Sequence, residues 1–475
     1  MRASADLGAG AGSGEAAGDG ESAPQSSVAG PLFGVPTPQP WFGVMHWGAL
    51  LLALAGAAIV GTTVWRHLGG AVPLSPGLND PDWAAVVGGG VLLGLGLSAF
   101  FLRPELGIFR RQILTSIAWA VTLLGGLVLL WVLIDSSSVR DDWVGTPVLN
   151  ESQLDAVIQE RFPAAESVYR VPTGVQIQSV EFKSAANVEV TGYVWQFYGD
   201  DAPADLVEGF VLLDALRDAY TATEAYRWAV PGGEVVGWYI AATLRQSFDY
   251  QYYPFERENV WLRLWSRDFD RRVLLVPDFD AYDDLTPTTL PGIERSFVHG
   301  GWDPLYTGFS LFADSYNVDF GAEGSLANAA YPELYFNFVL RRDFLGPFTE
   351  HLVYASAVAL LLFGLLALTS SNDATRGRFG ITTAGVLGSC GVFLFGVIAK
   401  HNQIRTSLDT QQITYLEAVP VLLYGMIVLV ALNAIVVASP LDVPLLEYRD
   451  NRFPELVYWP LLFGLLFAVT YAVFF

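Results

Sequence analysis

The chain has 475 residues, enough for two or three domains. With 52% hydrophobic residues, a mean hydropathy of +0.38 and several apolar stretches near twenty residues, it reads as an integral membrane protein. Its formal charge of −22 excludes nucleic-acid binding, which needs a basic footprint. Lys183 and Lys400 are the only lysines beside 48 acidic residues, a balance expected of a halophilic protein whose carboxylate surface stays hydrated in concentrated salt. Cys390 is the single cysteine, so an internal disulfide and a cysteine-rich metal centre are both excluded.

Residues 1–40 are rich in Ala, Gly, Ser and Glu and have too few large apolar side chains to offset the entropy of ordering; they are expected to be a disordered acidic tail. The tail lacks a basic start leading into a short apolar core, so it is not read as a cleavable signal peptide. Within 41–136, three spans near 46–66, 84–102 and 114–134 each approach the ~20 residues of a membrane helix. Trp41, Trp47, Trp65 and Trp83 stand near their ends, where amphipathic rings prefer the interface. Arg103, Arg110 and Arg111 in the second connection place it inside. The N-terminus is then cytoplasmic, and the segment after the third span is extracytoplasmic.

Residues 140–345 turn soluble. Leu154 to Phe162 predicts a short helix, and strands are expected at 175–177, 188–195, 235–248, 258–266, 272–277, 305–313 and 333–341. Pro231-Gly232-Gly233, Pro277-Asp278, Pro291-Gly292 and Gly300-Gly301 supply the turns. Many short strands with regular turns predict an antiparallel β-sandwich. Residues 346–475 carry four more spans, near 347–369, 379–399, 415–438 and 456–475, which leave the C-terminus extracytoplasmic. The fold class is therefore a multi-pass protein of the cell membrane. An extracytoplasmic antiparallel β-sandwich stands on an α-helical transmembrane bundle of three N-terminal helices and a C-terminal four-helix channel-like domain.

Tyr252-Tyr253-Pro254-Phe255-Glu256 lies in the middle of the soluble part. Pro254 has no N–H to give a central ladder, so the stretch is a tight loop between two strands. By itself it reads as an ordinary aromatic hairpin.

A β-sandwich followed by four membrane helices, with Tyr253-Pro254-Phe255-Glu256 between strands, resembles the pentameric ligand-gated ion channels, most closely prokaryotic members without the loop disulfide. In that family an aromatic-Pro-aromatic-Asp loop at the base of the sandwich touches the membrane domain; here Glu256 replaces the Asp. Leu340-Arg341-Arg342-Asp343-Phe344 is similar to the junction into the first helix, Arg378-Phe379-Gly380-Ile381-Thr382-Thr383 to the start of the pore-lining helix, and Ile413-Thr414-Tyr415-Leu416 to the entry of the third. The chain departs from the family in having Tyr354 where a proline is usual, a longer link between the second and third helices, and three extra N-terminal spans.

The resemblance implies a homopentamer in membrane lipid, with an unidentified small-molecule ligand bound between sandwiches and no cofactor. Binding would tilt the sandwiches and press the Tyr253–Glu256 loop on the 400–414 link. A pore needs one partly polar helix face, repeating every three or four residues. Arg378, Thr382, Gly385, Ser389, Val392 and Gly396 form one such stripe, with Val392 or Phe393 as a constriction; a neighbouring register places Leu387 there instead. The plain structural reading is that Gly385, Gly388, Gly391 and Gly396 let helices pack closely. A ring of Arg378 would favour anions. The coupling set is Tyr253, Pro254, Phe255, Glu256, Arg257, Arg341, Arg342, Arg405 and Asp409. Aromatic candidates for a ligand wall are Trp195, Trp238, Tyr282, Trp302, Tyr306 and Tyr316, though in a chain this rich in aromatics most of them read first as core or interface packing.

Other chemistry finds little footing in the sequence. Asp278 to Asp284 clusters carboxylates as a calcium site would, but in so acidic a chain it reads first as a solvated loop. The five histidines have no metal-ligand spacing, and no phosphate-binding loop or nucleophile elbow occurs, so no enzyme and no metal is expected. The reading from a different class is a non-conducting membrane sensor or scaffold of the same fold, with the three extra helices as its partner-binding surface.

Overall fold

The computed structural model describes residues 42–68, 81–104, 108–136, 143–161, 168–268, 273–298, 300–313, 332–369, 382–439 and 451–475. Among them, seven helices are long and apolar enough to cross a membrane. Three come first: α1 (Phe42–Leu68), α2 (Pro81–Leu102) and α3 (Phe109–Ser136). The β region carries a short helix, α4 (Glu151–Arg161), which turns Leu154 and Ile158 into the core at i, i+4 spacing. The last four are α5 (Leu345–Leu368), α6 (Thr383–Leu408), α7 (Ala418–Ala438) and α8 (Arg452–Phe474).

Among the described residues, eleven strands form two sheets. The first sheet has the order β1 (Thr146–Pro147), β10 (Trp302–Phe312), β11 (Glu333–Arg342), β7 (Arg257–Ser266) and β4 (Phe210–Leu212), and is antiparallel throughout. The second runs β5 (Ala215–Val230), β6 (Gly233–Arg245), β3 (Asn187–Gly199), β2 (Tyr169–Ser184) and β8 (Val273–Pro277), with β9 (Ile293–Val298) also on β2. Both β8 and β9 pair with β2 in parallel, so the expected antiparallel sandwich is corrected to a mixed one. The two sheets share one core that includes Val175, Val194, Ile240, Leu262, Phe309, Phe336 and Phe338. In β3, Val188, Val190 and Val194 turn inward while their neighbours do not, the alternation of a half-buried strand.

Other elements also differ from expectation. β6 ends at Arg245, and Phe248 lies beyond it in the core. β5 gives no alternation because, as an edge strand, it has few buried positions; Arg227 and Glu224 on it blunt the edge. The helix expected to stop near 399 continues to Leu408, because Val397, Ile404 and Leu408 keep the buried stripe going and no breaker intervenes. The unusually long link is therefore mostly helix.

The membrane helices line up as α1, α2, α3, α8, then α5 and α7, then α6. α1 and α2 meet backbone to backbone: a Cβ at Gly56 would strike the Gly89 carbonyl, and one at Gly96 the Ala53 backbone.

Candidate functional site: the junction of the β core and the helix ends

Between β6 and β7 the chain folds into a compact loop. Asp249 caps the short helical turn Tyr250–Tyr252 by accepting from the Gln251 N–H (3.0 Å). The Tyr253–Pro254 peptide is cis, and the Phe255 N–H donates to the Tyr252 carbonyl (2.8 Å). Neighbouring side chains are sent in opposite directions: Tyr250 and Tyr253 enter the β core, while Phe255 joins an apolar cluster built by the helices.

Phe255 is 5% exposed. It stacks on Phe344 (5.2 Å between ring centroids) and meets Phe348 (6.2 Å), Tyr415 (6.1 Å) and Phe474 edge-on (5.9 Å). These rings come from the start of α5, the entry to α7 and the end of α8. α3 joins through Trp131, whose indole N–H donates to the Tyr415 hydroxyl (2.8 Å); that hydroxyl also pairs with Thr470 (2.7 Å). One loop residue thus sits where four membrane helices meet.

The same loop is hydrogen-bonded to the turn between α6 and α7. The Leu416 N–H donates to the Tyr253 carbonyl (3.2 Å), and the Tyr250 N–H to the Gln412 side chain (2.8 Å). Ile404 and Leu408 at the end of α6, with Leu416, belong to the β core itself. The turn is closed by Glu417, which pairs with His401 (2.8 Å) and Arg405 (2.8 Å) and accepts from the Thr414 N–H (3.1 Å). Lys400 ties the end of α6 to Glu350 of α5 (2.6 Å).

The charges lie beneath the rings. Arg342, at the end of β11, pairs with the buried Glu256 carboxylate, and its guanidinium lies over Trp302 (4.2 Å) and Tyr253 (5.1 Å). Glu258 is also buried and accepts from the Asp249 N–H (3.1 Å). Burial, reinforced by the Glu256 and Asp249 charges, pushes the Glu258 carboxyl up to about 9. Burial also raises Glu256, against the pull of Arg342. Arg257 donates to the Asp135 and Ile134 carbonyls (3.1 and 3.5 Å) at the C-terminal end of α3, where a helix welcomes positive charge. Arg341 reaches the same Asp135 carbonyl (3.3 Å) and lies 3.6 Å from the Asp303 carboxylate.

The raised Glu258 value has a signed consequence. Below its ordinary value of 4.5, the folded and unfolded chains both hold the proton. Between there and about 9 only the folded chain keeps it, so this group's share of stability falls as pH rises through that window. Glu258→Gln keeps an acceptor for the Asp249 amide without the titration. Its melting temperature is expected to exceed wild type at pH 8, with a flatter profile between pH 5 and 9; thermal unfolding at graded pH measures both.

No family model matches the chain, and no curated protein matches it. The channel resemblance therefore rests on the quoted motifs and their order.

Of the expected coupling residues, the structure brings together Tyr253, Pro254, Phe255, Glu256, Arg257, Arg341 and Arg342; Arg405 faces Glu417 rather than the loop. Trp302, one of the aromatic candidates, belongs here too: it is 2% exposed beneath Arg342 and stacked on Phe182 (4.2 Å). The other aromatic candidates do not converge on one site. Trp195 donates to Asp278 (2.8 Å) beside Tyr282, whose hydroxyl is bonded to Val175; Trp238 packs on Phe210, and buried Tyr306 on Trp143. Tyr316 and Arg378 lie outside the described residues. Among the described residues no group of three or more His, Cys, Asp or Glu is placed to hold a metal.

On α6, Val386, Cys390 and Val397 face the bundle, and Ile404 and Leu408 the β core. Thr382 and Gly385 are exposed, Val392 is 68% exposed, and Ser389 bonds back to the Gly385 carbonyl (3.0 Å). Gly396 abuts the Tyr354 hydroxyl, so the stripe leans toward α5 at that point. Sequence reasoning missed Trp131, Phe344, Phe348, Thr470, Phe474 and Glu258. Phe344 and Phe348 stand i, i+4 just after the Arg-Arg-Asp junction, a spacing that marks one helical face; nothing local marks the others.

Proposed function

We propose that the chain is one subunit of a homopentameric, ligand-gated channel-like receptor, with its β domain outside the cell membrane and α6 facing a central pore. The observation that carries this reading is the insertion of Ile404, Leu408 and Leu416 into the β core beside the Tyr253–Glu256 loop. A rigid-body shift of the β domain then displaces the end of α6 directly, without an intervening flexible link. The helix order supports the reading as well: α6 stands at one end of the array with an open face, and the three extra helices stand at the other, beyond α8. A small-molecule ligand acting on the β domain gates the pore.

A second reading is favoured by a separate observation. α3 is held at the same junction by Trp131, Arg257 and Arg341. A non-conducting sensor would pass the motion to α1–α3 and a membrane partner.

Electron cryomicroscopy of the full chain in lipid nanodiscs separates the two. The channel reading expects five-fold rings with α6 innermost around a continuous lumen. A monomer, or a ring whose centre is filled by packed side chains, contradicts it.

A further inference from the structure

At the end of the bundle away from the β domain, a cavity of about 250 Å³ lies between α5, α7 and α8. Its walls are apolar, built by Leu366, Met426, Val430, Phe453, Val457 and Leu461. Leu429 and Leu432, each half exposed, mark the side that opens toward lipid. Two polar side chains, Tyr458 and Asn433, break this lining among the described residues. Asn433 is 6% exposed, and neither its amide nitrogen nor its amide oxygen has a hydrogen-bond partner. Nearby, the Tyr458 hydroxyl donates to the Ala359 carbonyl (2.8 Å), and the Asn451 amide nitrogen donates to the Thr369 carbonyl (3.0 Å) while its amide oxygen has no partner.

A buried amide without partners is costly and rare, and in a membrane helix such a group marks a functional position more often than a packing one. An apolar cavity with a few convergent polar groups is the usual form of a small-molecule site. At roughly 150 Å³ such a cavity already accepts a benzene ring, so this one has room for more.

We propose that this cavity binds a neutral apolar molecule whose polar end carries a donor and an acceptor side by side, a primary amide or an un-ionised carboxylic acid. The Asn433 amide presents the complementary pair, N–H beside C=O, and closes two hydrogen bonds with such a group. Among the described residues no cation lines the cavity to hold an anion, and no carboxylate lines it to hold a cation. Asn433 lies five residues before the end of α7, about 7.5 Å along the helix axis. The polar end of the ligand therefore sits just inside the far membrane face, with its chain leading out past Leu429 and Leu432. The site does not depend on whether the protein conducts.

The test uses the full chain in phosphatidylcholine nanodiscs and a decanamide carrying a diazirine on its chain, mapped after irradiation by peptide mass spectrometry. Labelling is expected on Met426, Val430, Phe453 or Val457, displaced by unlabelled decanamide. The N,N-dimethylamide of the same probe, which lacks the donor, is expected to label those residues at least fivefold less. Asn433→Leu, close in volume and without an unpaired amide, is expected to bring the primary amide down to that level with no loss of melting temperature. Val457→Trp, which fills the cavity from the opposite wall, is expected to abolish labelling of both probes. Decanoic acid that competes below pH 5 but not at pH 9 extends the site to un-ionised acids, and no competition at either value limits it to amides; equal competition at both values, which would mean that the carboxylate binds, overturns the neutral-ligand proposal. Equal labelling by the two amides, labelling unchanged by Asn433→Leu, or no labelling of the cavity in the wild-type chain overturns the proposal.

Discussion

Arg342→Met is expected to destabilise the protein by about 3–5 kcal/mol, the usual consequence of leaving one member of a buried ion pair without its partner. Glu256 has a side chain only 1% exposed, and Arg342 is the cation bonded to it. Methionine keeps much of the contact with the Trp302 and Tyr253 rings but removes the charge, so the loss isolates the electrostatic part. Glu256 can then become neutral only by taking a proton. Destabilisation is therefore greatest at high pH and shrinks as pH falls, opposite to a simple packing defect. The double variant Glu256→Gln with Arg342→Met is expected to recover most of the loss, since replacing both members of a buried pair is often close to neutral. Melting temperatures of the three variants at pH 6 and pH 9, followed by tryptophan fluorescence, check the whole pattern.

Phe255→Ala is expected to cost about 3–5 kcal/mol, the range for truncating a buried phenylalanine. The loss is local in a particular way. Phe255 is the loop residue that enters the ring cluster of α3, α5, α7 and α8, while Tyr250 and Tyr253 stay in the β core. Faster hydrogen exchange is expected at Phe344–Phe348 and at the Leu416 amide, with the central strands β3, β6 and β11 unchanged. Phe255→Leu, which keeps most of the volume, is expected to lose less than half as much. Exchange rising evenly across the β domain would mean that the loop is a core element and not a link.

How far the sequence speaks differs by element. Each membrane span is a long apolar run, and one physical requirement, its length across hydrocarbon, fixes it to within several residues; α6 escaped because its amphipathic end, Lys400 to Leu408, leaves the apolar run while remaining helical. β3 is legible because one face is buried and the other is not. β5 is not, since an edge strand with few buried positions has no alternation to read. The parallel pairing of β8 and β9 with β2 joins segments far apart in the chain, and no local pattern encodes it. At the junction, Tyr253, Phe255 and Glu256 stand out because a proline between aromatic residues has few uses. Trp131 and Phe474 reach the same place from near opposite ends of the chain, and only the packing of α3 and α8 brings them there. Asn433 was visible as a single amide in an apolar run, but its lack of partners is a property of the fold alone.

The most direct test of the central claim is the water accessibility of α6. Single cysteines at Thr382 through Gly396, in a Cys390→Ala background, are treated in intact membranes with a charged thiol reagent. Labelling is expected at Thr382, Gly385 and Val392, which are exposed, and more weakly at half-buried Ser389, with Val386 and Phe393 protected because they pack against the bundle core. Protection along the whole series, with and without a disrupted junction (Phe255→Ala), would contradict a water-filled path beside this helix.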